Sequence, residues 1–430
     1  MVHNAKTWRK SEHCHDGRMF QPASSKANES ESSVSGTNHN RPNAFREITP
    51  KNLLSFGPTT NPLSLRNLNV LIGPNGSGKS NLLETIALLR SAPSDLRQVV
   101  LKGGGITEWI WKGEPHGVAS VNVVATRENG GPSLRHTISF RAEKQTFRIE
   151  DERIENEVPD EGENGPYFYY RYQNGKPVIN PRNATAPRKL SRDTIEPDLS
   201  ILAQRRDPET FPEITFLAGL YDRIRLYREW SFGRDTVFRN PQKADMRNDR
   251  LEENFSNLGL FLNRLRLVPR VKSALLTGLR DLYEGLTDFE VSIEGGTVQV
   301  FFSEGDFSIP APRLSDGSIR YLCLLAILCD PDPPPLIGIE EPELGLHPDL
   351  IPKVADLLKD ASTRTQLIVT THSDILVDAL SDDPEAAVVC EKHAGKTSYE
   401  RLERSKLAKW LSLYRLGQLW TRGDLGGTRW

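Results

Sequence analysis

Residues 73–80 read Gly-Pro-Asn-Gly-Ser-Gly-Lys-Ser, and this short loop limits the fold more than any other stretch of the chain. A glycine, four residues and then Gly-Lys-Ser works only where a buried strand delivers the loop and a helix leaves it. Both flanks comply. Leu68-Asn69-Val70-Leu71-Ile72 predicts a buried strand, and the spacing from Asn81 to Arg90 predicts a helix. Gly73, Gly76 and Gly78 let backbone N–H groups turn inward around phosphate oxygens, and the helix N-terminus adds partial positive charge. Pro74, Asn75, Ser77 and Asn81 complete the phosphate-binding segment. Lys79 is placed to bridge β- and γ-phosphates, and the Ser80 hydroxyl to ligate Mg²⁺. The chain therefore reads as an α/β nucleotide-binding protein, with kinases, GTPases and helicases all still open.

Three later segments narrow the class. LIGIEEPELGLHP at 336–348 is a buried strand running into acids. Glu340 would stand at its tip on the metal side, and Glu341 would polarise an attacking water. Taken alone, the pair also fits a strand-to-loop corner with solvated carboxylates. RLSDGSIRYLCLLAILC at 313–329 places Ser315 as N-cap of a helix at 316–329. The same geometry, with the N–H of Gly317, makes an anion site that can face a phosphate held by another subunit. IVTTHSDILVDAL at 367–379 puts His372 just past a buried strand, Gln366–Thr370, within reach of a γ-phosphate oxygen. A lone histidine is more often structural than catalytic.

In this order and spacing, the four segments closely resemble the RecF/SMC-like ABC ATPases, and in particular the stand-alone AAA_21 group of ATPases. The resemblance runs from about Ile48 to the C-terminus, through GLYDRIRLYREWSFG and the ending LGQLWTRGDLGGTRW. It implies an ATPase using ATP and Mg²⁺, with Lys79 and Ser80 on phosphates and metal, Glu340 on the metal side and Glu341 as base. It further implies Ser315 and Gly317 acting in trans within an ATP-bound head-to-tail homodimer, with His372 as switch. Relatives often work with separate partner proteins, such as a nuclease, in DNA repair or anti-phage defence. Three departures stand out. Glu340 replaces the usual Asp, Asp316 and Ser318 replace a Gly and a Gln of the signature, and no Q-loop glutamine is evident, Gln98 lying too close to the first helix.

The expected architecture is a mixed core sheet flanked by helices with an antiparallel β subdomain, and a largely helical insertion. Residues 45–140 and 286–430 would form the ATPase domain and 141–285 the insertion. Segments 118–126 and 134–141 alternate as antiparallel strands, and Ile214, Leu217, Ala218, Tyr221 and Ile224 share a helical face. The acidic run 150–163 reads as a flexible surface loop. Residues 1–44, rich in Ser, Asn and Glu, read as a disordered tail with no secretory h-region. Four scattered cysteines and the lack of any apolar run of membrane length fit a cytoplasmic protein.

Net charge is −2, yet residues 171–280 hold 21 basic against 13 acidic side chains. There Tyr221, Arg223, Arg225, Tyr227, Arg228, Trp230, Phe232, Arg234, Phe238 and Arg239 interleave cations with aromatics. That pattern suits a DNA- or RNA-contacting surface. It suits equally a helical face whose aromatics turn inward, in which case ATP would drive a clamp for a protein partner. No Asp-x-Asp follows His372, so no nuclease of the TOPRIM kind is expected within the chain. The apolar residues of 407–430 favour core packing over partner docking.

Overall fold

The computed structural model describes residues 43–427, except 128–129, 174, 183–185, 192–193, 232 and 234–235. The expected tail thus lies almost wholly outside the described residues, as do Phe232 and Arg234. Among the described residues no helix is long and apolar enough to cross a membrane.

Among the described residues the chain builds three sheets. The one that matters for chemistry has six strands, in the order Arg225–Tyr227, Leu336–Glu340, Gln366–Thr370, Leu68–Ile72, Ala387–His393, Lys396–Arg401. The first five run parallel and the last pairs antiparallel. Leu68–Ile72 and Gln366–Thr370 are buried at every position, because helices cover both faces, as parallel strands require. Period-2 alternation sorts their side chains. Leu71 and Ile368 face the cluster around Leu82, Leu83 and Ile86 of helix Lys79–Ser91. Val70, Ile72, Ile339 and Val369 face the cluster around helices Asp316–Leu328 and Ile351–Ala361. Register aligns the strand ends, with Glu340 beside Thr370 and Thr370 beside Leu71. Three connections therefore leave the sheet side by side, where open α/β sheets bind ligands.

An eight-stranded antiparallel sheet runs Leu63–Ser64, Phe45–Lys51, Ala119–Ala125, Leu134–Glu143, Thr146–Asn156, Phe168–Gln173, Lys176–Ile179, Arg188–Lys189. Its last four strands lie inside the segment expected to be largely helical. Among the described residues the α-helices of that segment lie in its later part, at Ile201–Gln204, Pro212–Asp222, Leu258–Leu265 and Pro269–Leu282. The cause is alternation hidden by charge. In Thr146–Asn156 the inward positions are Phe147, Ile149, Glu152, Ile154 and Asn156. Outward acids pair with arginines, as in Glu150–Arg141 at 3.0 Å, so the run expected to be a flexible loop is strand as far as Asn156.

Glu152 is the exception that points inward. Its Oε1 accepts from the Ser200 hydroxyl and lies 3.2 Å from His136 Nε2, while Oε2 accepts from Ile201 N at 2.9 Å. His136 Nδ1 in turn meets the Tyr221 hydroxyl at 3.0 Å. All four side chains are buried. This network joins the antiparallel sheet to the helices Ile201–Gln204 and Pro212–Asp222. Removing one partner of a buried polar network leaves the others unsatisfied. Glu152→Ala is expected to cost roughly 3 kcal/mol, read as a lower midpoint of thermal unfolding; an unchanged midpoint would show the network to be dispensable.

The C-terminal segment divides. Leu416, Leu419 and Trp420 are buried as expected, whereas Trp410 and Leu413 remain exposed.

Candidate functional site

The phosphate-loop glycines are positioned by crowding as well as by dihedral. Gly73 has φ +146 and Gly78 φ +104. A Cβ on Gly73 would lie 2.2 Å from the carbonyl oxygen of Cys390, and one on Gly78 would lie 2.2 Å from Thr397 Oγ1. Strand Lys396–Arg401 braces the loop there. Thr397 Oγ1 donates to Ser77 O at 2.8 Å and contacts Ser55 Oγ at 2.7 Å, and Asn81 Nδ2 donates to the same Ser55 at 2.6 Å. Asn81 thus works from the side of the helix, not from inside the loop. Pro74, Asn75 and Gly76 form the open rim.

Lys79 lies within this turn, its Nζ donating to Gly73 O at 2.8 Å and Pro74 O at 3.1 Å. Burial holds its pKa below the usual lysine value, opposed by the charges of Glu341, Glu340 and Glu343 and by Cys390. Ser80 bonds Glu340 directly, hydroxyl to Oε1. The sequence expected these two to share a metal. A hydroxyl and a carboxylate side by side are hard oxygen donors of the type Mg²⁺ takes, so the residues present fit it. Glu340 Oε2 accepts from Arg228 Nε at 2.9 Å, and Arg228 also pairs with Glu84 at 2.8 Å.

Glu341 adopts φ +47, a left-handed conformation that costs a non-glycine residue about 1–2 kcal/mol. Its N–H donates to Thr370 O at 3.0 Å, and its own carbonyl accepts from Arg320 at 2.7 Å. The turn aims the carboxylate at His372, whose Nε2 lies 3.7 Å from Glu341 Oε1, both side chains about one-third exposed. The loop bearing His372 is anchored by Glu343, which accepts from His372 N and Thr371 Oγ1, each at 2.8 Å. Burial raises the Glu343 pKa, opposed by those hydrogen bonds.

The signature segment belongs to a different element, the start of helix Asp316–Leu328. Ser315 caps helix Asp316–Leu328, its Oγ accepting from Ser318 N at 3.1 Å, and is exposed. Gly317 packs against the loop after the acids: a Cβ there would lie 2.9 Å from Gly345 O. Arg239 ties the segment down through Leu314 O at 2.9 Å and through Asp316. Lys79, Ser80, Glu340, Glu341 and His372 are therefore neighbours, and Ser315 and Gly317 present a separate helix end.

In the arginine–aromatic stretch several described residues turn inward, as the second of the two readings has it, while Arg223 is exposed. Tyr221, Arg225, Tyr227 and Phe238 are buried. Arg225 caps Asp222 O and Ile224 O, Arg228 holds Glu340, and Trp230 Nε1 donates to Glu340 O at 2.7 Å. Sequence reasoning thus missed Arg228, Trp230, Arg320 and Glu343 as site residues. Only Arg320 carried a local signal, a lone charge in an apolar helical run.

A phosphate loop, paired acids and a histidine on adjacent parallel strand tips define a P-loop ATPase of the ABC type. Residues 68–378 match the family model AAA_21, described as "AAA domain, putative AbiEii toxin, Type IV TA system", and the chain belongs to that family. It is an ATPase that binds nucleotide. Solved structures give the same fold. An SMC head bound to the C-winged-helix domain of ScpA superimposes with TM-score 0.55 at 16% identity, covering 85% of this chain and 99% of that one. The Smc head with an extended coiled coil from Pyrococcus furiosus, bound to the C-terminal domain of ScpA, gives 0.53 at 15%, covering 86% and 98%. Among curated proteins no sequence match is found.

Proposed function

We propose that the chain hydrolyses ATP as a head-to-tail pair, each site combining the phosphate loop of one copy with Ser315 and Gly317 of the other. The observation that carries this reading is the split just described. Base, histidine and phosphate loop share one set of strand tips, while Ser315 caps a different element, the exposed start of helix Asp316–Leu328. In this reading the backbone N–H groups of Gly73, Gly76 and Gly78 wrap the phosphates, and Lys79 exchanges its contacts with Gly73 O and Pro74 O for phosphate oxygens. Ser80 and Glu340 would hold Mg²⁺, which supplies charge neutralisation between the phosphates. Glu341 accepts the proton of the attacking water, and His372 bonds the γ-phosphate.

Mixing two inactive variants tests the geometry. Ser315→Arg spoils one face of the pair and Lys79→Ala the other. Random pairing of a head-to-tail dimer restores one sound site in half the pairs, so about a quarter of wild-type turnover returns. No recovery on mixing would refute the shared site.

For the output of the cycle we favour a clamp that controls a protein partner. Tyr221, Arg225, Tyr227 and Phe238 of the arginine–aromatic stretch are buried and Arg228 and Trp230 are held on Glu340, and the SMC heads of the same fold are solved with a ScpA domain bound. A role in repair or anti-phage defence through nucleic acid is the second reading. Turnover raised several-fold by DNA or RNA, and lost steeply with salt, would reverse the choice.

A further inference from the structure

The backbone of the acid pair is gripped by two side chains that act together. Trp230 Nε1 donates to Glu340 O and an Arg320 N–H donates to Glu341 O, each at 2.7 Å. The Arg320 guanidinium also lies over the Trp230 ring, 4.5 Å from its centroid. Arg320 is only 3% exposed, flanked on its helix by the buried Ile319, Tyr321 and Leu322. Burial pushes its pKa down to about 10, opposed by the charges of Glu343 and Glu341. A cation kept in such surroundings works through its partners, and one hydrogen-bonded partner here is the carbonyl of a residue held at φ +47.

We propose that Arg320, seated on Trp230, is the positioning residue that keeps Glu341 in its left-handed turn and ties that turn to the helix capped by Ser315. The proposal rests on the reading of Glu341 as base. Arg320 sits five residues beyond Ser315 on helix Asp316–Leu328, so a shift of that helix end moves the guanidinium against the Glu341 carbonyl. Without the grip, Glu341 can relax toward negative φ and swing its carboxylate away from His372. Contact of a second copy with Ser315 is thereby felt at the base of the first copy's own site. A planar fork pinned between a ring and a carbonyl suits this better than the flexible ammonium of lysine.

The test separates positioning from packing. Arg320→Met keeps the length of the side chain and removes the grip. Turnover should fall roughly 30- to 100-fold, near the lower end of what a general base supplies, with KM and the affinity for a fluorescent ATP analogue within about threefold. Arg320→Lys should recover only part of the loss. In a Glu341→Gln background, Arg320→Met should cost nothing further, because the group it positions is gone. Turnover of Arg320→Met within threefold of wild type would overturn the proposal, and so would a loss that multiplies with that of Glu341→Gln. Should Arg320→Met fail to fold, Trp230→Leu removes the ring that seats the guanidinium. A loss of about tenfold in turnover at unchanged ATP affinity is then expected, and an unchanged turnover overturns the idea. Wild-type turnover by Glu341→Gln alone would instead sink the reading of the base, an outcome seen without touching Arg320.

Discussion

Lys79→Ala is expected to bind ATP roughly 100-fold more weakly and to lose hydrolysis by about 10³-fold or more. The size of the effect follows from where the ammonium sits. It is enclosed by the loop that would wrap the phosphates and held on Gly73 O and Pro74 O. Its pKa is lowered because burial disfavours the charge, with the acids of the corner only opposing that trend. A cation kept desolvated forms strong charge-assisted bonds once phosphate oxygens arrive.

The same burial predicts what will not change. The loss of two backbone hydrogen bonds is offset by removing a charge that burial disfavours, so the change is close to neutral for folding. The unfolding midpoint of Lys79→Ala should stay within about 3 °C of wild type. Equilibrium binding of ATP and a thermal melt on the same sample check both halves. Normal turnover by this variant would remove the basis of the whole assignment.

The parts of the site that could be read from sequence are those whose chemistry is contiguous. Gly73 to Ser80, Glu340 with Glu341, and Ser315 each carry their reason within a few residues: a turn that needs glycine, a strand end, a cap. Parallel register then brings Glu340, Thr370 and Leu71 level, and that register follows from strands buried on both faces. The parts that could not be read depend on contacts across the chain. Arg228 reaches Glu340 over 112 positions, and nothing near Arg228 separates a clamp on an acid from a phosphate-binding arginine. Trp230 had the same ambiguity, since an indole can stack on a base or donate to a carbonyl. Glu152 was hidden by its neighbours. Within an acidic run only the pleat decides which carboxylate turns inward, and the irregular pairing beside Phe140 obscures the pleat.

Glu341→Gln is expected to retain ATP binding, to hydrolyse at least about 10²-fold more slowly, and to accumulate as a dimer in ATP but not in ADP. Glutamine keeps the shape of the side chain, and the backbone bonds to Thr370 and Arg320 are untouched. The phosphate loop, Ser80 and Glu340 remain as they are. What disappears is the carboxylate proposed to accept the water proton, 3.7 Å from His372 Nε2. If ATP closes the pair and hydrolysis opens it, stopping hydrolysis leaves the closed state populated, because a ligand shifts an equilibrium by its differential affinity for the two states. Sizing with light scattering at several protein concentrations reads this directly. A slow mutant that stays monomeric in ATP would leave Glu341 as base and discard the shared site, making Ser315 an ordinary helix cap. A mutant that dimerises yet hydrolyses at the wild-type rate would do the reverse, keeping the pair and moving the base to another group of the same corner.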